Sequence, residues 1–472
     1  MKKSGALLVC CSLLLPAADI ESQYRDVSKK IIEAALADQE GLDRLQYLCD
    51  RIGHRLSGSE SLEKAIQWSA AEMKKAGLTN VQTPPVKVPH WVRGNEYATM
   101  LAPTVKKLPM LGLGMSVGTP PEGITADVVT VASFDELAAL GKEKVQGKIV
   151  LFDPVWEGYG QTVIYRATGA SRAAELGAVG VLVRSMTGRS LATPHTGGLN
   201  YIAGVAKIPA AAITVEDAAL IHRLAKGGVP VKVKLMMEAK TLPDADSHNV
   251  MGEIRGSEKP EEVVVLGGHI DSWDIGQGAN DDGSGVIAAF QAVALLQKLG
   301  LKPKRTIRVV FWVNEENGGA GGRAYRAMLG DAAKNHVAAI EMDGGAEKPL
   351  GFGYGTGGAQ RRRTTANAPA TPVKATSAAS FQRAVDIGKL LSGIGGGQMT
   401  PGGGGADIAP LLAAGVPGFG VQTGGGHYND WHHTDSDTFD KIVPSEFRAN
   451  VASLAVLSFV LADMPERIGD IE

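Results

Sequence analysis

The chain has 472 residues, 44% of them apolar and 21% charged, and its 48 basic and 50 acidic residues leave a net charge of −2. That composition excludes a disordered chain, and the charge balance offers no electrostatic footprint for nucleic acid or an anionic membrane. The length exceeds what one hydrophobic core usually organises, so more than one unit is expected.

At the N-terminus, Lys2 and Lys3 precede the apolar stretch Ala6–Leu15 and then Pro16-Ala17-Ala18. This order predicts a signal peptide over 1–18, cleaved near Ala18, and an exported protein, periplasmic or secreted. A lipid anchor on Cys10 or Cys11 is disfavoured, because Val9 and Cys10 stand where a small residue belongs. Past that segment only Cys49 remains, so no internal disulfide is expected. No other apolar run approaches the length of a membrane span.

From Tyr24 to Gly77 the apolar residues recur at helical spacing (Ile31, Ile32, Ala35, then Ala65, Trp68, Met73). Strand-like runs follow at Val81–Val88 and Tyr97–Leu101, and the Pro/Gly-rich stretch Gly112–Gly123 reads as a crossing between units. Residues 124–240 form a block of their own. Its strands are expected at Ala126–Val131, Lys148–Phe152, Val179–Val183, Ala210–Thr214 and Val231–Leu235, with a helix at Ala167–Leu176. The block lacks a dense carboxylate–histidine cluster, which suits an inserted lid or binding module; its His195 reads as a surface-loop residue.

After Thr241 the chain settles into strand–loop–helix cycles. Val263–Leu266, Ile307–Val313, Val337–Ile340 and Gly418–Val421 are buried-strand runs, and Val286, Phe290, Val293 and Leu296 mark a helix face. The cycles predict an α/β fold with a mostly parallel sheet flanked by helices, whose ligands sit beyond the carboxyl ends of the strands.

Acid- and histidine-rich segments stand at those ends. His269 and Asp271, two residues apart in extended chain, point the same way. In Asn280–Gly285, Asp282 or Ser284 can cap the following helix, which leaves Asp281 free to bridge two cations. Glu315 and Glu316 repel each other unless a cation or proton is near, so Glu316 is assigned to metal and Glu315 to general base. Asp343 adds a carboxylate, and His433, with His432 as competitor, adds an imidazole. Mixed nitrogen and oxygen donors suit zinc, and a pair of zinc ions suits acyl hydrolysis. Asp407 in the Gly-rich stretch finds no vacancy at such metals and is assigned to a substrate-side loop, and the basic run Arg361–Arg363 to a solvated loop.

The segments His269-Ile270-Asp271, Asn280–Gly285, Glu315-Glu316, Asp343 and His433 to Thr438 resemble the pattern of the co-catalytic zinc exopeptidases, which include bacterial leucyl aminopeptidases and glutamate carboxypeptidases. RLSGS (55–59), PHTG (194–197), DSWDIGQGA (271–279) and PKRTIR (303–308) carry the likeness to the plasma glutamate carboxypeptidase branch across most of the chain. The resemblance implies a catalytic domain in two parts, 19–117 and 241–472, with a protease-associated α+β domain inserted at 118–240. It implies two zinc ions, one held by His269 and Asp343 and the other by Glu316 and His433, with Asp281 between them. Asp271 would orient His269, and Glu315 would take a proton from a water between the metals. Tyr428 or the Gly404 amide would steady the oxyanion. The implied substrates are small peptides, dipeptides first, and the implied assembly is a homodimer. An aminopeptidase acting on longer peptides and a non-catalytic binding protein on the same fold are the competing readings.

Overall fold

The computed structural model describes residues 19–189, 191–356 and 376–469. The expected signal segment, Cys10, Cys11 and Arg361–Arg363 lie outside the described residues.

One sheet of eight strands organises the catalytic part. Its four central strands run parallel: Arg305–Trp312, Lys259–His269, His336–Glu341 and Pro417–Thr423, in that spatial order. Antiparallel strands flank them, Val250–Ile254 on one side and Pro349–Thr356 on the other. Alternate residues of the Lys259–His269 strand enter opposite cores. Val264 and Leu266 join the larger cluster with the helices Ser284–Lys298 and Pro444–Asp463; Val263 and Val265 join Trp312, Tyr325 and Leu411. A strand covered on both faces has no polar alternation, which is why it reads as a continuous apolar run.

The expected helical stretch from Tyr24 resolves into Ile20–Leu36, Glu40–Tyr47 and Glu60–Lys75. Asp19 and Ser59 cap the first and third of these by accepting from Ser22 N and Leu62 N. The run Val81–Val88 divides into two strands, Thr79–Gln82 and Pro85–Val92, because Thr83-Pro84 interrupts the ladder. Pro85–Val92 pairs with Lys240–His248 as a two-stranded ribbon, and these two segments carry the chain into and out of a second sheet.

That second sheet also has eight strands, and it takes in Glu96–Ala102, Lys106–Leu108 and Met110–Gly112. Strand pairing brings residues from Glu96 onward into the second sheet, ahead of the expected start at 118: the Tyr97–Leu101 run pairs with Lys232–Met237 far along the chain, and Lys106–Leu108 and Met110–Gly112 are too short for local pattern to show. The middle of the sheet is parallel, from Ile124–Val131 through Ile149–Phe152 and Gly180–Arg184 to Ala210–Ile213. Its helix Tyr159–Ala174 starts eight residues before the expected Ala167, since Gly160, Gln161 and Thr162 break the apolar stripe of its first turn.

Among the described residues, one helix, Pro444–Asp463, is long and apolar enough to cross a bilayer, although the sequence reading counted no such run past the N-terminus. It is packed inside the catalytic core, where Val451, Leu454, Leu457 and Leu461 are buried.

Arg55, fully buried, ties the site loops together. Its guanidinium donates to the carbonyls of Gly53, Ile270, Gln277 and Gly278. Replacing it with methionine should destabilise the protein by about 3 kcal/mol, because several buried carbonyls lose their donors; urea unfolding measures this, and a loss under about 0.5 kcal/mol would mean those carbonyls find other partners.

His336 opens its strand 4% exposed, with Nε2 2.9 Å from the Tyr325 hydroxyl. Burial, with the nearby Arg308 charge, lowers its pKa from 6.5 to about 4. The unfolded chain thus binds a proton the folded chain refuses, so stability is whole at neutral pH and falls as pH drops from 6.5 toward 4. Relative to His336→Gln, the parent should lose about 3 kcal/mol by pH 4 in urea titrations; parallel pH profiles would refute this.

Candidate metal centre

The carboxyl ends of the four parallel strands meet the turn 279–283 over one patch of the catalytic part. His269 is the last residue of its strand, and Glu315-Glu316 follow the Arg305–Trp312 strand by a short turn. Asp343 lies just past His336–Glu341, and His433 follows the short helix Tyr428–Trp431 beyond Pro417–Thr423.

Asp281 sits at the middle. Its Oδ1 is 3.3 Å from His269 Nε2, and its Oδ2 is 3.1 Å from His433 Nε2. His269 Nε2 is 3.4 Å from Asp343 Oδ1, and His433 Nε2 is 3.1 Å from Glu316 Oε2. All five expected ligands thus converge as two groups that share Asp281. His432 is nearby, with Nε2 3.4 Å from Asp281 Oδ2, but it stacks on His433 and lacks the second carboxylate.

The loops are held by acids that do not face this cluster. The Asp437 carboxylate accepts from the backbone N–H of Asn280 (2.8 Å) and of Asp281 (3.1 Å). Asp282 accepts from Gly285 N through Oδ1, as the expected cap, and from His269 N through Oδ2; the peptide joining Asp281 to Asp282 is cis. Gly268 must be glycine here, since a Cβ would lie 2.1 Å from Asp282 Oδ2. Asp271 acts somewhat differently from the expectation. His269 Nδ1 is 3.0 Å from the Asp271 carbonyl and 3.7 Å from its carboxylate, which instead accepts from Glu315 N and Glu316 N. The carbonyl thus fixes the histidine tautomer, and the carboxylate fixes the Glu315-Glu316 turn.

The electrostatics are those of a site crowded with negative charge. Burial, then the Asp281 charge, pushes Glu316 up to about 7, and burial raises Asp343 to about 6. Against the cost of burial, Glu316 and Asp281 hold His433 at about 10, and Asp343 with Asp281 holds His269 well above the imidazole range. His269 Nε2, Asp281 Oδ2 and Glu316 Oε1 are buried with no hydrogen-bond partner. Two donors on one tetrahedral zinc, each about 2.0–2.1 Å from the ion, stand roughly 3.3 Å apart. The donor spacings and the orphaned atoms both fit a pair of such cations.

Other expected residues fall less simply. Tyr428 is half-buried beside the cluster, and burial with the fields of Asp281 and Asp343 holds its phenol well above its usual pKa. Gly404 lies against Gly420 of the sheet. Asp407 turns its side chain into the interior: it is 1% exposed, and burial and the charge of Glu341 raise its pKa well above the usual range. His195, expected on the surface, is 2% exposed, with Nδ1 2.8 Å from the His432 carbonyl. Asp437 belongs to the motif that ends in Asp437-Thr438, yet its role on the 280–281 turn was invisible because it depends on a loop 157 residues away.

The sequence matches peptidase family M28 over residues 249–458 and the PA domain over 114–221. Carboxypeptidase Q of Homo sapiens is 42% identical over 446 residues, covering 94% of this chain and 90% of that protein. The crystal structure of a peptidase M28 precursor from Shewanella amazonensis SB2B aligns with a TM-score of 0.88 at 32% identity, covering 95% of this chain and 98% of that one. A zinc aminopeptidase from Bacillus subtilis aligns with a TM-score of 0.66 at 18% identity over 91% and 97% of the two chains, a likeness of fold alone. Likeness of this extent, joined to a metal-ready cluster at the strand ends, means that the chain belongs to peptidase family M28 and is a metallopeptidase with an inserted PA domain.

Proposed function

We propose that the protein is an exported zinc exopeptidase that hydrolyses small peptides, dipeptides first. The observation that carries this reading is the pair of donor groups around Asp281, with His269 Nε2, Asp281 Oδ2 and Glu316 Oε1 buried and making no hydrogen bond. The cofactor is two zinc ions: His269 and Asp343 would hold one, Glu316 and His433 the other, and Asp281 both. When bound, zinc lowers the pKa of water and polarises a scissile carbonyl.

The chain's own residues supply the proton chemistry and the order. Glu315, 8% exposed and placed by its N–H on Asp271, takes a proton from the attacking water at its carboxylate and returns it to the leaving amine. Tyr428, kept neutral by its surroundings, donates a hydrogen bond from its hydroxyl to the developing oxyanion. Beside it, a cavity of about 360 Å³ is lined by Glu347, Lys348, His427, Trp431 and Lys441. Charges of both signs there suit a substrate whose two termini are close together. The likeness to carboxypeptidase Q, a carboxypeptidase by name, supports an exopeptidase, and the Lys2–Ala18 order supports export.

Exhaustive chelation should abolish peptidase activity and zinc should restore it, with elemental analysis following occupancy; undiminished turnover by a metal-free protein would end the proposal. Glu315→Gln should keep its zinc while kcat falls by roughly 10²–10⁴-fold, and a near-normal kcat would reassign the base. A panel of dipeptides, longer peptides and terminally blocked peptides separates dipeptidase from aminopeptidase: faster cleavage of long peptides from the N-terminus would favour the aminopeptidase.

A further inference from the structure

His433 adopts φ +63°, a left-handed backbone that a residue with a Cβ takes only when its surroundings impose it. The inserted domain meets that turn directly. Two consecutive residues of the insert grip two consecutive residues of the catalytic loop. His195 Nδ1 donates to the His432 carbonyl at 2.8 Å, and Thr196 N donates to the His433 carbonyl at 2.9 Å. In return, His433 Nδ1 lies 3.2 Å from the Thr196 carbonyl. That contact places the ring proton on Nδ1 and leaves Nε2, which faces Asp281 and Glu316, as the nitrogen with a lone pair.

Arg166 completes the grip from the insert's helix Tyr159–Ala174. Its Nη1 donates to the same Thr196 carbonyl at 3.1 Å, and its Nη2 donates to the Tyr159 hydroxyl at 2.8 Å. The guanidinium lies over the Tyr159 ring, whose edge meets His432. Gly197 makes the approach feasible: a Cβ there would stand 2.3 Å from the guanidinium, and its φ of +134° suits glycine. The Thr196 hydroxyl donates to the Gly112 carbonyl at 2.7 Å, which anchors the strap within the insert.

We propose that the inserted domain is an integral part of the metal centre, with His195, Thr196 and Arg166 as positioning residues that hold His433 in its ligating orientation. The inference rests on the two-zinc reading above and assigns the insert a task distinct from covering substrate. One metal position, the one made by Glu316 and His433, depends on domain contact; the other, made by His269 and Asp343, is built wholly from the catalytic part.

The test compares the full chain with Arg166→Ala, Arg166→Lys, His195→Ala and His195→Asn. Zinc retained against graded chelator is measured by elemental analysis, cobalt absorption reports ligand geometry, and melting of the metal-free proteins reports folding. Arg166→Ala and His195→Ala should weaken one of the two zinc ions by about 10–100-fold, leave the other at parental affinity and alter the cobalt spectrum. Arg166→Lys and His195→Asn, which keep a donor, should recover part of the loss. Should Arg166→Ala not fold, the His195 pair decides alone: His195→Ala losing one zinc more readily than His195→Asn supports the proposal. Both zinc ions held with parental affinity and an unchanged cobalt spectrum in folded alanine variants would overturn it. A parent chain that itself binds fewer than two metals would instead overturn the two-zinc reading.

Discussion

The rest of the structure depends on a surplus of buried carboxylate. Asp271, Asp281, Asp282, Glu316, Glu341, Asp407 and Asp437 are all buried within one end of a sheet whose interior is apolar. Burying so many anions is strongly unfavourable unless each finds a cation, a proton or an array of N–H donors. The chain uses all three. Asp271, Asp282 and Asp437 take backbone N–H groups, and so bend the loops into shape. Burial and mutual repulsion drive Glu341, at about 8, and Asp407 toward protonation. Asp281, Glu316 and Asp343, with His269 and His433, are left to the metals. Three kinds of acid therefore coexist: those that shape the loops, those driven toward the neutral form, and those that the shaped loops present.

This division explains what the sequence disclosed and what it withheld. The strand runs were legible because a strand covered on both faces becomes apolar throughout, as Val263–Leu266 does. Of the five candidate ligands, His269, Glu316 and Asp343 were legible because each ends or closely follows such a run, and Asp281 and His433 because they stand in acid- and histidine-rich turns beyond one. Residues that act across the chain were not legible. Asp437 meets a turn 157 positions away, Arg55 gathers carbonyls from 215 to 223 positions away, and Arg166 approaches His433 across 267. Their local sequence says nothing about those partners. The same limit hid the start of the second sheet, whose strands near Glu96–Gly112 pair with segments far along the chain.

His195 shows how environment overrides type. A lone histidine between Pro194 and Thr196 in a Gly-bearing loop has every local mark of the surface, yet it is buried against the catalytic loop. Arg93, which bridges Asp274 at 2.6–2.8 Å and also reaches the Thr196 hydroxyl, ties the same seam from the ribbon that joins the two sheets. The seam between the units is thus polar, specific and close to the site, unlike the apolar cores on either side of it.

The helix Pro444–Asp463 has a consequence for how the chain reaches this state. Among the described residues it is the one helix apolar enough to be mistaken for a membrane anchor, and it lies against Ile20–Leu36, Ser284–Lys298 and the central strands. The helices and strands that pack against it precede it in the chain. The chain is made from its N-terminus, so this apolar segment emerges after the surfaces able to receive it. The order of synthesis itself shortens the time for which that helix is exposed to other chains.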